Sequence, residues 1–90
     1  MDKIFLVYDV SYYKGVNRCV TTPCTTMEIA KRVLKDKLDW YLKNTILNRV
    51  VNNLGNDDIW EVNEYSVKIN TQHEGLQIDL YIERGCIINK

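Results

Sequence analysis

Few side chains in this chain could do chemistry, and most of them are scattered. The cysteines are Cys19, Cys24 and Cys86, and the single histidine is His73. A tetrahedral zinc site would have to draw on all four. Cys19 and Cys24 straddle Pro23 and lack the compact two-residue spacing of a zinc knuckle, so ordinary reduced thiols are the simpler reading and no metal or cofactor is expected. The odd cysteine count also points away from a disulfide framework and toward a cytoplasmic protein. Ser11 and Ser66 are the available serines, and neither lies on a nucleophile-elbow pattern. The glycines stand singly, so no phosphate cradle forms. Asp57 and Asp58 precede Trp60 as the polar lead-in to a strand, with contact to a divalent ion as the sharper alternative. A metal-dependent nuclease would rest on that pair together with Asp9. No nucleophile, base and orienting group stand out, and no catalytic residue is assigned. His73, beside Glu74, is the side chain whose ordinary pKa lies nearest neutrality.

Charge carries more information than these motifs. The 90 residues hold 12 basic and 12 acidic side chains, for a net charge of zero. That balance argues against a strong non-specific nucleic-acid binder and equally against an acidic mimic of DNA. The distribution is uneven. Lys31, Arg32, Lys35, Lys37, Lys43 and Arg49 outweigh Glu28, Asp36 and Asp39 in the middle of the chain. Asp57, Asp58, Glu61, Glu64, Glu74, Asp79 and Glu83 face Lys68 alone across residues 56–83. Such a chain either pairs a basic helix with an acidic sheet internally, or presents a bipolar surface to a partner.

The elements that would position these groups follow from hydrophobic period. With 46% hydrophobic residues the chain is long enough for one packed core and too short for two, so residues 1–90 form a single domain. Ile4, Leu6, Tyr8 and Val10 alternate with Phe5, Val7, Asp9 and Ser11, as in a central strand that turns amphipathic at Asp9. Tyr12–Gly15 reads as a turn, and residues 16–22 as a returning strand with Val16, Arg18 and Val20 on one face. Pro23 punctuates residues 21–26, and Thr25 with Glu28 forms a capping box for a helix. Ala30, Leu34, Leu38, Leu42, Ile46, Val50 and Leu54 then recur at every fourth residue. Four residues turn a helix by about 400°, so this stripe drifts and cannot lie on one flat sheet throughout. Either the helix breaks near Asn44–Thr45, with Thr45 capping a second piece, or a second surface meets its far end. A homodimer seam of Leu47, Val51 and Leu54 is one such surface. Gly55 is a natural residue to end the helix.

Beyond Asp57 the period becomes two. The phase slips at Asn63–Glu64, marking a bulge or tight bend. Residues 71–75 link Val67–Ile69 to the strand that begins Leu76–Ile78 as a hairpin. Arg84–Gly85 reads as a final turn, with Cys86, Ile87 and Ile88 as a short edge strand or a cover for the helix. The fold class is α+β: a small antiparallel sheet of three to five strands packed on one long or broken helix, in the order β-β-α-β-β. No run approaches the roughly 20 apolar residues needed to cross a bilayer, and the first residues do not make a signal peptide.

Two resemblances rest on particular residues. Phe5-Leu6-Val7-Tyr8-Asp9-Val10-Ser11 resembles the first strand of the small ferredoxin-like nucleases of CRISPR adaptation, which implies a catalytic role for Asp9. The arginines that family carries just after the serine, and its second helix, are missing here, and the nuclease activity is not carried over. Over a longer span the chain resembles small uncharacterised phage- or mobile-element-encoded α+β proteins. The matching pattern is a strand at residues 4–11, a strand at 15–22, a Thr-started helix at 26–38 and a strand at 59–65. That likeness implies a stoichiometric inhibitor or adaptor of a host nuclease or defence complex.

The expectation is therefore a non-enzymatic protein-binding domain that binds a host protein or complex by occlusion. The residues expected to do so are Asp57, Asp58, Trp60, Glu61, Glu64, His73, Glu74, Tyr81 and Glu83. The alternative is a small nucleic-acid-binding regulator using Tyr12, Tyr13, Lys14, Arg18, Lys31, Arg32 and Lys35.

Overall fold

Aliphatic and aromatic side chains crowd the opening residues, and such side chains suit a pleated surface. In the computed structural model, which describes residues 3–72 and 74–86, they form β1 (Lys3–Tyr13). Lys14 and Gly15 both take positive φ, 50° and 82°. That two-residue turn has the twist a hairpin requires, and it pairs Tyr13 with Val16. The returning strand β2 (Val16–Cys24) is longer than its sequence suggests, because Pro23 falls inside it, opposite Leu6. β2 lies at the edge of the sheet, where a missing ladder donor is tolerated.

The helix begins one residue later than the capping box indicates. Thr26, not Thr25, is the N-cap: its backbone is extended, and its Oγ1 accepts a hydrogen bond from the Ile29 N–H at 3.2 Å. Glu28 sits in the first turn of α1 (Met27–Asn44), where its charge complements the positive helix end. The break comes where the drifting stripe demands it. The Thr45 hydroxyl donates to the Tyr41 carbonyl at 2.5 Å and accepts from the Leu47 N–H at 3.2 Å, closing one helix and steadying the next. A short α2 (Leu47–Val50) and a 3-10 turn (Val51–Asn53) follow. Gly55 is not in the left-handed region as the expected helix terminator would be; its N–H instead donates to Asp58 Oδ2 at 2.8 Å.

The phase slip at Asn63 is a complete hairpin turn. Asn63 Oδ1 accepts from the N–H groups of Tyr65 and Ser66 at 2.8 and 2.9 Å, so β3 (Ile59–Val62) reverses directly into β4 (Ser66–Thr71). The expected turn at Arg84–Gly85 does not form. β5 (Leu76–Cys86) runs through both residues, pairing Arg84 with Phe5 and Gly85 with Ile4. Gly85 presents no side chain to Ile4 and Leu6, which close over it. Ile87 and Ile88 lie outside the described residues.

The five strands form one antiparallel sheet in the order β2-β1-β5-β4-β3. The helices cover one of its faces. Val7, Val67, Ile69, Ile78 and Leu80 meet Ala30, Leu34, Tyr41 and Leu47 there, and this contact is the core. Leu47 is 0% exposed, so it belongs to that core and not to a dimer seam. Leu54 is exposed and Val51 half-buried.

Candidate functional site

One carboxylate lies inside the core. The alternation of β1 sends Asp9 to the helix-covered face, where it is 2% exposed. An isolated charge there would cost several kcal/mol, and α1 supplies two partners one turn apart. The Tyr41 hydroxyl donates to Asp9 Oδ1 at 2.5 Å, and Lys37 Nζ lies 3.4 Å from Oδ2. Both carboxylate oxygens are thus engaged by α1. Burial, then the hydrogen bond to Asp9, pushes the Tyr41 hydroxyl up to about 12. The nearby Cys24 thiol is also raised by burial. This arrangement locks the helix to the sheet. Asp57 and Asp58 do not join it. Asp58 holds the loop before β3, accepting from the N–H groups of Gly55 and Gln72 at 2.8 and 2.9 Å. Among the described residues no group of three or more His, Cys, Asp or Glu side chains gathers to hold a metal ion.

Among the described residues no helix covers the opposite face of the sheet. Register places β1's Ile4, Leu6, Tyr8, Val10 and Tyr12 on that face, beside Tyr81 of β5. Tyr8 and Tyr81 are direct cross-strand partners, and their rings stack with centroids 4.8 Å apart and planes 18° from parallel. Glu83 lies opposite Leu6, and Asp79 opposite Val10. One ladder row continues from Asp79 through Lys68 to Glu61. Burial, then the Glu83 carboxylate, raises the Tyr8 hydroxyl above its ordinary value. The face is therefore an aliphatic and aromatic stripe rimmed by three acids and one lysine. Leu6, Tyr8, Val10 and Tyr81 are only half-buried.

The nine residues expected to bind protein do not share one surface. Glu61, Tyr81 and Glu83 lie on the open face. Trp60 points to the other side and packs against the core. Glu64 sits in the β3–β4 turn and pairs with Lys31 at 3.5 Å. Asp57, Asp58 and Glu74 occupy the loops at the start of β3 and β5, and His73 lies outside the described residues.

The basic set divides as well. Tyr13, Lys14 and Arg18 line a cleft between the first hairpin and the end of α1, whereas Lys31, Arg32 and Lys35 line another between α1 and β3–β4. Tyr12 is on the open sheet face. Lys31 is committed internally: its ammonium lies 4.6 Å from the Tyr65 ring centroid, and Tyr65 and Glu64 raise it above its ordinary value. Among the described residues these side chains do not form one continuous basic, aromatic surface.

Leu6, Val10 and Asp79 belong to the open face and lie outside the set of residues expected from sequence to bind. The alternation of β1 carried the signal, since apolar residues on both faces leave one apolar row wherever a single helix covers the sheet. For the buried cluster the signal was the four-residue spacing of Lys37 and Tyr41 opposite a lone aspartate in an apolar strand. Comparison with protein-family models, with curated proteins and with solved structures finds no match for this chain. No helix among the described residues is long and apolar enough to cross a membrane.

Proposed function

We propose that this is a non-catalytic, cytoplasmic protein-binding domain that docks through the open face of its sheet and occludes a basic surface of its partner. The observation that carries the reading is the Tyr8–Tyr81 stack within a half-buried apolar stripe, rimmed by Glu61, Asp79 and Glu83. Rigid aromatic side chains make efficient interface anchors, and acidic rims speed and orient encounter with a basic partner. A surface that holds nucleic acid is basic by necessity, so a nucleic-acid-processing protein is the partner class that fits best. The inhibitor or adaptor role on a host nuclease or defence complex, and a phage or mobile-element origin, draw their support from the strand–strand–helix–strand resemblance alone.

The test is capture of partners by the wild-type chain and by Glu61→Lys/Asp79→Lys/Glu83→Lys, after nuclease treatment of the lysate. The reading predicts a near-stoichiometric protein with a basic nucleic-acid-binding surface, lost with the charge-reversed variant and retained with Glu64→Lys. Retention by the triple variant, or disappearance on nuclease treatment, would contradict it.

A further inference from the structure

A cleft stands apart from the open sheet face. The cleft between the first hairpin and the end of α1 has a volume of about 510 Å³, within the range of roughly 300–1,000 Å³ typical of small-molecule sites. Its walls are largely apolar, built from Val16, Ile46, Leu76 and the Tyr13 ring. The charged side chains that line it, Lys14 and Arg18, are both cations. Among the described residues neither is ion-paired. Each instead rests on an aromatic face: Lys14 Nζ lies 5.2 Å from the Tyr13 ring centroid, and the Arg18 guanidinium 5.1 Å from that of Trp40. Cations parked in this way lose less freedom when they take up an anion.

Arg18 also lines an adjoining cleft with Trp40, Asp36 and Asp9, and of these two acids the buried one is already answered. Asp9 is not in the lining of the hairpin cleft, and Lys37 and Tyr41 hold its carboxylate. The end of a helix ordinarily repels anions, but the Trp40 carbonyl accepts from Asn44 Nδ2 at 3.0 Å and the Tyr41 carbonyl from the Thr45 N–H at 3.1 Å. The cleft between α1 and β3–β4 differs, since Asp39 and Glu64 line it beside its cations.

We propose that the hairpin cleft binds a small amphipathic carboxylate, with its apolar body between Ile46, Leu76 and Val16 and its carboxylate on Lys14 and Arg18. Two cations in the lining of an apolar cleft match one anionic end on an apolar body; a polyanion would leave most of its charge without a partner.

The experiment is an amide-detected NMR titration of the whole chain with 2-naphthaleneacetate and, separately, its neutral amide. Saturable shifts are expected at Ser11, Lys14, Arg18 and Ile46. Because both cations are solvent-exposed, the amide should bind only about five- to tenfold more weakly. Lys14→Gln/Arg18→Gln should weaken the acid to the level of the amide while leaving the amide unchanged. Both positions are exposed, so the variant is expected to fold, and its thermal midpoint verifies this. Equal binding of acid and amide, shifts centred on Leu38 and Val62 or on the open sheet face, or no saturable binding of the acid would each overturn the proposal. None of these results bears on protein docking at the open face.

Discussion

At the scale of single residues, Asp9 decides most. An aspartate closing an apolar strand invites a catalytic reading, yet its carboxylate spends both oxygens on Tyr41 and Lys37. Tyr41→Phe removes the stronger of these contacts and should cost about 1–3 kcal/mol in urea unfolding. The same hydroxyl sets an alkaline limit. Its folded pKa, about 12, is above its ordinary value of 10.0, so the native state favours the neutral form. That contribution is present in full below pH 10 and disappears as the pH rises toward 12. Stability should fall across this window in the wild type and more shallowly in Tyr41→Phe, with the last-titrating tyrosine lost from the ultraviolet titration. Sequence alone exposed the anomaly at Asp9 but not its resolution, because the partners lie 28 and 32 residues away on another element. Leu47 teaches the same lesson. As a core residue, its replacement by Ala should cost about 2–5 kcal/mol in the unfolding of the monomer, where a seam residue would change only self-association.

At the scale of elements, local chemistry is legible where it acts over a few residues. The first turn, expected over Tyr12–Gly15 and confined to Lys14–Gly15, the break at Thr45 and the reversal between β4 and β5 all follow from residue type and period. The errors are of register and reach. Two adjacent threonines compete to cap α1, and the choice falls to Thr26 because β2 runs on to Cys24. Thr26→Ala should therefore lower stability by about 1 kcal/mol, and Thr25→Ala by much less, a comparison chemical denaturation resolves directly. β5 outlasts its expected turn because β1 supplies ladder partners as far as Cys86, and no local pattern announces a partner such as Lys3 at the other end of the sequence. The slip at Asn63 shows the converse. The change of period marks the disturbance, but the choice between a bulge and a reversal depends on the Asn63 side chain gathering two backbone donors.

At the scale of the molecule, the sheet has two faces and the helices cover one. The α+β class and the antiparallel sheet were readable because strand and helix periods differ. The grouping of the acidic residues was not, since neighbours in sequence such as Trp60 and Glu61 emerge on opposite faces, and Glu64 leaves the sheet altogether. Attraction between an acidic rim and a basic partner should weaken with ionic strength chiefly through slower association, which stopped-flow or surface-based kinetics would read as a falling on-rate.

The most direct measurement is site-specific photocrosslinking from four single positions: Tyr8 and Tyr81 on the open face, Trp40 and Lys43 on α1. Docking through the open face predicts that one protein with a basic nucleic-acid-binding surface is crosslinked from Tyr8 and Tyr81 and not from α1. Crosslinks from Trp40 or Lys43 alone would contradict it and move the binding surface to the helix.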